Sequence, residues 1–204
     1  MKKIEILKSY YETNMGKGLP DYRILGWESK EAQNLRFDAM ISNIPLGGMK
    51  LLDVGCGTGN LLEYLNTKNI KVDYTGVDIL KSMIDCAKEK GLDAQFYNMD
   101  IFCGNPFQGG SFDVVYASGI FNLDLGNNRE FLLKALRLFC RLSRRYVAFN
   151  LLHCASCDKE DKYCYFEPDA VLKTLERELP GELSGIRIIE GYLQNDFTVI
   201  CRKK

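Results

Sequence analysis

The chain has 204 residues, 46% hydrophobic and 26% charged, and Lys+Arg and Asp+Glu both number 27, for a formal net charge of zero. That length suits one domain that buries a full core without staples, and it carries no basic excess of the kind a dedicated nucleic-acid binder shows. No stretch approaches the roughly 20 apolar residues of a membrane span, and the basic N-terminus, MKKIEILKSYYETN, lacks the apolar run of a signal peptide, so a cytoplasmic protein is expected.

A short amphipathic helix is expected over residues 2–13, where Ile4, Leu7, Tyr10 and Tyr11 recur at helical spacing. Gly16, Gly18 and Pro20 then break the pattern. A second helix starts at Ser29, a good N-cap, and runs to about residue 43, before Pro45 and Gly47-Gly48. Residues 1–45 thus read as an N-terminal helical cap on a single domain spanning 1–204. Strands and helices then alternate, with strands expected at 50–54, 72–77, 94–97, 112–117 and 146–152. Helices are expected at 60–67, 82–90, 129–142 and 168–179. Such alternation implies crossovers, and so a mostly parallel sheet covered on both faces. The last two strands, 186–193 and 197–202, leave only Gln194-Asn195-Asp196 between them, which forces an antiparallel hairpin. The expected fold is a three-layer α/β/α sandwich around a mostly parallel seven-stranded sheet closed by that hairpin.

Of the eight cysteines, Cys86, Cys140 and Cys201 lie in apolar-patterned segments and read as small buried hydrophobes, and Cys56 lies in a glycine loop. A disulfide framework is not expected in a chain of this size without a secretory signal.

That loop, Asp53-Val54-Gly55-Cys56-Gly57-Thr58-Gly59, leaves the first strand of the sheet and opens a helix. Glycine lets the backbone turn sharply and lets a ligand come close to it, and open parallel sheets bind ligands at this strand end. A dinucleotide loop needs its third glycine at position 60, which is Asn60. Asp53 would also repel a pyrophosphate, yet it suits a ligand with an ammonium group. S-adenosylmethionine (AdoMet) has an amino-acid tail, a sulfonium and no phosphate, so the loop favours it over NAD; a glycine turn without a ligand is the plain alternative. Asp78 ends the second strand, 23 residues after Gly55. A carboxylate there can accept both hydroxyls of a ribose, or merely cap a helix. Asp100 follows the third strand and can face an adenine amino group, with Ile79 and Ile101 against the ring, or be a plain loop acid. Three acids after three consecutive strands form a row in the order amino-acid tail, ribose, adenine.

These residues resemble the class I AdoMet-dependent methyltransferases. Leu51-Leu52-Asp53-Val54-Gly55-Cys56-Gly57-Thr58-Gly59 is similar to their glycine motif, Gly76-Val77-Asp78 to their ribose-binding acid motif, Asp100 to their adenine-side acid, and Ser111–Val115 to their fourth strand. The closing hairpin resembles their reversed seventh strand, and the likeness covers roughly residues 48–202. It implies a cofactor site at Asp53, Gly55, Cys56, Gly57, Gly59, Asp78, Ile79, Asp100, Ile101 and Ser118. It further implies direct displacement on the methyl carbon, S-adenosylhomocysteine as product, and no essential metal. A narrower resemblance, to uncharacterised bacterial members, rests on Gly26-Trp27-Glu28-Ser29 with Gln33 and Arg36-Phe37, on Ala117–Asn122, and on Asn195-Asp196-Phe197-Thr198. It names no substrate.

The acceptor is expected above the strand ends, near Ser118–Asn122 and near Asn150–Cys154. Candidates to touch it are Tyr11, Trp27, Phe121 and Asn122. His153, the only histidine, either deprotonates a hydroxyl acceptor or only hydrogen-bonds within its loop. Tyr10, Tyr11, Tyr22 and Trp27 either cover the cofactor as a movable lid or simply pack. The segment lacks the Asn/Asp-Pro-Pro-aromatic signature of the DNA amino-methylating members, which favours a small-molecule acceptor. Cys154, Cys157 and Cys164 offer a single CxxC and no second pair at zinc-ribbon spacing, so no metal is expected. An oxidoreductase and a catalytically silent AdoMet-binding subunit are the competing functions, and the cofactor motif itself does not separate the second from an enzyme.

Overall fold

The computed structural model of the chain describes residues 2–15 and 17–204; Gly16, expected to break the first helix, lies outside the described residues. Helix α1 (Lys2–Tyr11) and a 3₁₀ turn (Glu12–Asn14) lead to a four-residue helix, α2 (Asp21–Ile24), that the sequence pattern does not show. Helix α3 (Lys30–Ile41) starts where expected, because the Ser29 hydroxyl accepts the Ala32 N–H at 3.0 Å.

The strands are β1 (Lys50–Val54), β2 (Asp73–Asp78), β3 (Gln95–Asn98), β4 (Phe112–Ala117), β5 (Ser143–His153), β6 (Tyr165–Phe166), β7 (Leu183–Ile189) and β8 (Asp196–Lys203). Between them run α4 (Asn60–Thr67), α5 (Lys81–Glu89), α6 (Asn128–Leu142) and α7 (Pro168–Glu178). The sheet order is β3-β2-β1-β4-β5-β8-β7, with β6 pairing beside β5 at Leu152 and His153. The expected seven strands are all present, and the two-residue β6 makes an eighth. Only β8 runs antiparallel to its neighbours, β5 and β7.

Two features of the end of the sheet differ from expectation. Strand β7 begins at Leu183 and stops at Ile189, so its connection to β8 is the six residues 190–195 and not the three expected. Asp196, read as a turn residue, is the first residue of β8 and is buried against Arg36. A turn can be polar without a partner, whereas a strand carries a charge inward only if it is paired, and pairing is invisible in the local pattern.

Both faces of the sheet are covered. On one, Leu132, Leu136 and Phe139 of α6 and Val171 and Leu175 of α7 pack on Leu52, Val54, Val115, Phe149 and Val199. On the other, Phe37 and Met40 of α3, Leu61 and Leu65 of α4, and Ile84 of α5 pack on Leu51, Tyr74, Val114 and Tyr116. Helix α3 is therefore one of the layers, whereas the residues before it lie over the strand ends. The chain order reverses between β1 and β4, and the crevice at their C-terminal ends is where such sheets take ligands. Among the described residues no helix is long and apolar enough to cross a membrane.

Candidate active site

A cavity of about 1000 Å³ opens over that crevice. Its floor is the glycine loop. Gly55, Gly57 and Gly59 have φ of 76°, 54° and 83°, values that side chains rarely adopt. A Cβ on Gly55 would meet Ile120 Cγ2 at 2.2 Å, and one on Gly57 would meet Leu25 Cδ2 at 2.7 Å. The Gly55 and Cys56 N–H groups donate to the Val77 carbonyl at 2.8 and 3.1 Å, so the turn is tied to the end of β2. Gly55, Cys56 and Gly57 border the cavity; Gly59 does not, and instead caps α4 beside Leu92 and Phe96.

The three acids of the sequence row all border the same cavity. Asp53 is buried and accepts the Tyr74 hydroxyl at 2.5 Å. Burial pushes its carboxyl up to about 7, the nearby Asp78 adds to the rise, and the Tyr74 hydrogen bond opposes it. A carboxylate so placed is stabilised by a cation, which is what a ligand ammonium supplies. Asp78 accepts the Gly57 N–H at 2.9 Å on one oxygen and the Leu80 N–H at 2.9 Å on the other. It thus braces the loop and the start of α5 together, and each oxygen keeps a lone pair for a hydroxyl. Burial raises its pKa, against the backbone N–H groups that lower it. Asp100 turns its own loop by accepting the Phe102 N–H at 2.9 Å. Ile79 and Ile101 stand beside these acids along the same wall. The donor set fits AdoMet: a buried acid for the ammonium, an acid for a diol, and apolar side chains for a flat base.

Sequence reasoning missed several residues here. The Asn98 amide donates to the Asp78 and Ile79 carbonyls, both at 3.0 Å, and fixes their segment. Leu25, Met83, Tyr116, Ile120, Tyr163 and Tyr165 also border the cavity. The Tyr116 hydroxyl, Ser118 Oγ and Asn122 Oδ1 are fully buried and have no hydrogen-bond partner. Only position 118 and its neighbours carried a signal, as part of the Ala117–Asn122 motif.

The proposed acceptor residues divide. Tyr11, Trp27 and Asn122 border the cavity, and Phe121 does not. Phe121 is fully buried, edge-on to Phe149, and it is the adjacent Ile120 that faces the space. His153 also stands away from the cavity wall. Its Nδ1 accepts the Ala155 N–H at 2.8 Å and its Nε2 donates to Glu190 at 2.9 Å, so both ring nitrogens serve the loop. Tyr10 borders the cavity and Tyr22 does not. Cys154, Cys157 and Cys164 are free thiols, and among the described residues no three His, Cys, Asp or Glu side chains are grouped to hold a metal ion.

Comparison with known proteins agrees with this arrangement. A family profile described as "Methyltransferase domain" matches residues 51–141. The Mycobacterium tuberculosis protein Rv1506c, whose name provisionally makes it a methyltransferase, is 31% identical over 158 residues, which are 74% of this chain and 91% of that protein. Among solved structures, a SAM-dependent methyltransferase from Archaeoglobus fulgidus superposes with a TM-score of 0.67 at 16% identity, covering 90% of this chain and 100% of that one. Magnesium protoporphyrin IX methyltransferase from Synechocystis PCC 6803 with bound SAM gives 0.64 at 15%, covering 98% and 96%. These two share the fold, and the M. tuberculosis relative carries the likeness through most of both sequences. The chain belongs to the class I AdoMet-dependent methyltransferases.

Proposed function

We propose that this chain transfers the methyl group of AdoMet to a small molecule, with Asp53 against the amino-acid tail, Asp78 against the ribose, and Asp100, Ile79 and Ile101 around the adenine. The observation that carries this reading is the row of three acids at the ends of β1, β2 and β3, bordering one cavity with unpartnered polar groups beyond them. Bound AdoMet supplies a methyl group on a positively charged sulfur, already an activated leaving group. The residues of the chain have to align the two reactants and exclude water. The missing side chains of Gly55 and Gly57 leave room for Ile120 and Leu25, which press on the loop and fix its shape.

The segment before Ser29 forms the roof. Its polar contacts include the Tyr10 and Tyr163 hydroxyls at 2.6 Å, the Ser82 hydroxyl donating to Glu12 at 2.8 Å, the Thr58 hydroxyl donating to Asp21 at 2.9 Å, the Lys90–Asp21 ion pair at 2.5 Å, and Lys3 donating to Asn127. A cavity roofed in this way suits a small acceptor better than a duplex. His153 serves its loop and is not the base. Residues 1–204 work as one unit, and buried thiols such as Cys56, Cys140 and Cys201 suit a reducing cytoplasm.

Calorimetric titration with S-adenosylhomocysteine tests the reading. One molecule should bind per chain, and Asp78→Ala should weaken it by about 1.5–3 kcal/mol, the cost of losing hydrogen bonds to a charged group. An unchanged affinity in a folded variant refutes the ribose role.

A further inference from the structure

Three sequence motifs without an assigned role converge at one place. Trp27 and Arg36 come from the first, Gly119 and Asn122 from the second, and Asp196 from the third. Arg36 Nε donates to Asp196 at 2.8 Å, and both side chains are at most 4% exposed. The Arg36 guanidinium lies 4.3 Å from the centre of the Trp27 ring. A Cβ on Gly119 would touch that indole at 3.1 Å, and the Gly119 N–H donates to Asn150 Oδ1 at 3.0 Å. The Asn150 amide in turn donates to Asp196 at 3.1 Å. The ion pair therefore holds the indole against the loop that follows β4. The wall so formed borders the cavity, and beside it lie Ser118 Oγ and Asn122 Oδ1, buried and without partners.

Resting on the methyltransferase reading above, we infer that this wall is an acceptor subsite for an amine with a flat, apolar body. Asn122 Oδ1 accepts hydrogen bonds only, so its partner must bear N–H or O–H. The cavity is bordered by six carboxylates and three cations. Of the cations, Arg36 is neutralised by Asp196, while Lys3 donates to the uncharged Asn127 amide and Arg23 has no ion-pair partner among the described residues, so the carboxylates still outnumber the cations. Glu160 is paired with Lys162 at 2.8 Å. Glu28 and Asp158 have no ion-pair partner among the described residues. A positively charged acceptor is favoured there, and the rings of Tyr10 and Tyr11 on the cavity wall attract a cation. An alcohol must give up its proton as it attacks, whereas an amine that has lost its proton to water attacks with a free lone pair. The nitrogen lone pair then forms the N–C bond, the electrons of the S–C bond stay on sulfur as a neutral thioether, and the product leaves as an N-methylammonium.

Methyl transfer from labelled AdoMet to matched phenethylamine, 2-phenylethanol and phenylacetate, with S-adenosylhomocysteine titrated in parallel, tests this. The amine should be methylated with a kcat/KM at least tenfold above either analogue. Asn122→Ala should lower that value at least tenfold while S-adenosylhomocysteine binds within twofold of wild type, which also shows that the variant folds. Glu28→Gln, at an exposed position, should raise KM for the amine and leave the affinity for S-adenosylhomocysteine unchanged. Equal or greater transfer to the alcohol or the acid, or no transfer to the amine by a protein that binds S-adenosylhomocysteine, overturns the subsite. Failure of S-adenosylhomocysteine to bind at all overturns the cofactor reading beneath it.

Discussion

Replacing Asp53 by asparagine is expected to stabilise the ligand-free protein, by an amount that grows with pH. Burial first, and the charge of Asp78 second, raise this carboxyl from 3.8 to about 7. The unfolded chain releases the proton near 3.8 and the folded chain keeps it to about 7. Between those values unfolding releases a proton, so the stability present at low pH is lost as pH rises. The rise of about three pH units, at about 1.36 kcal/mol each, makes the ionised carboxylate cost about 4 kcal/mol above pH 7. Asparagine retains an acceptor for the Tyr74 hydroxyl, now 2.5 Å from Asp53, and does not ionise. Urea unfolding of both proteins at about pH 5.5 and about pH 8.5 should show the advantage of the variant growing by about 2 kcal/mol. An advantage that stays flat across that interval refutes the reasoning. The same proton should govern binding: for wild type the affinity for S-adenosylhomocysteine should fall about tenfold for each pH unit below 7, because only the carboxylate attracts the ammonium. In Asp53→Asn that slope should vanish.

Arg36→Met should destabilise by about 3–5 kcal/mol, since it leaves the buried Asp196 without its counter-charge, and adding Asp196→Asn should recover part of the loss in thermal unfolding; additive losses would argue against coupling. Amide exchange over residues 4–27 should slow when S-adenosylhomocysteine binds, because the roof is tied to the strand ends through side-chain contacts; equal protection in both states removes the lid. Dialysis against a chelator should leave the melting temperature unchanged, and elemental analysis finding one zinc per chain on Cys154, Cys157 and Cys164 would contradict this.

The parts of the fold legible in the sequence are those where periodicity and punctuation agree. Helix α4 occupies Asn60–Thr67 and strand β4 occupies Phe112–Ala117, as expected, because each is bounded by glycine or a polar turn and buries a regular stripe. Strand β5 extends further than its pattern, since Arg144 and Arg145 are exposed strand residues that look like a loop. The row of three acids was legible because each lies at or just past the end of its strand. The cluster of Trp27, Gly119, Arg36 and Asp196 was not, since its contacts are set by tertiary packing alone. The same limit explains Phe121 and Ile120: which of two adjacent apolar residues faces a cavity depends on a left-handed Gly119 with φ of 82°.

The Arg36–Asp196 pair joins residues 160 positions apart, and β8 enters the sheet between β5 and β7. Loop closure over such a span is slow compared with forming β1–α4–β2, whose contacts are local. During synthesis Arg36 and the glycine loop emerge long before β8, which brings Asp196 to the pair. The charge of Arg36 is therefore left without its partner in any chain shorter than 196 residues, and the last strand to enter the sheet is also the one that neutralises it.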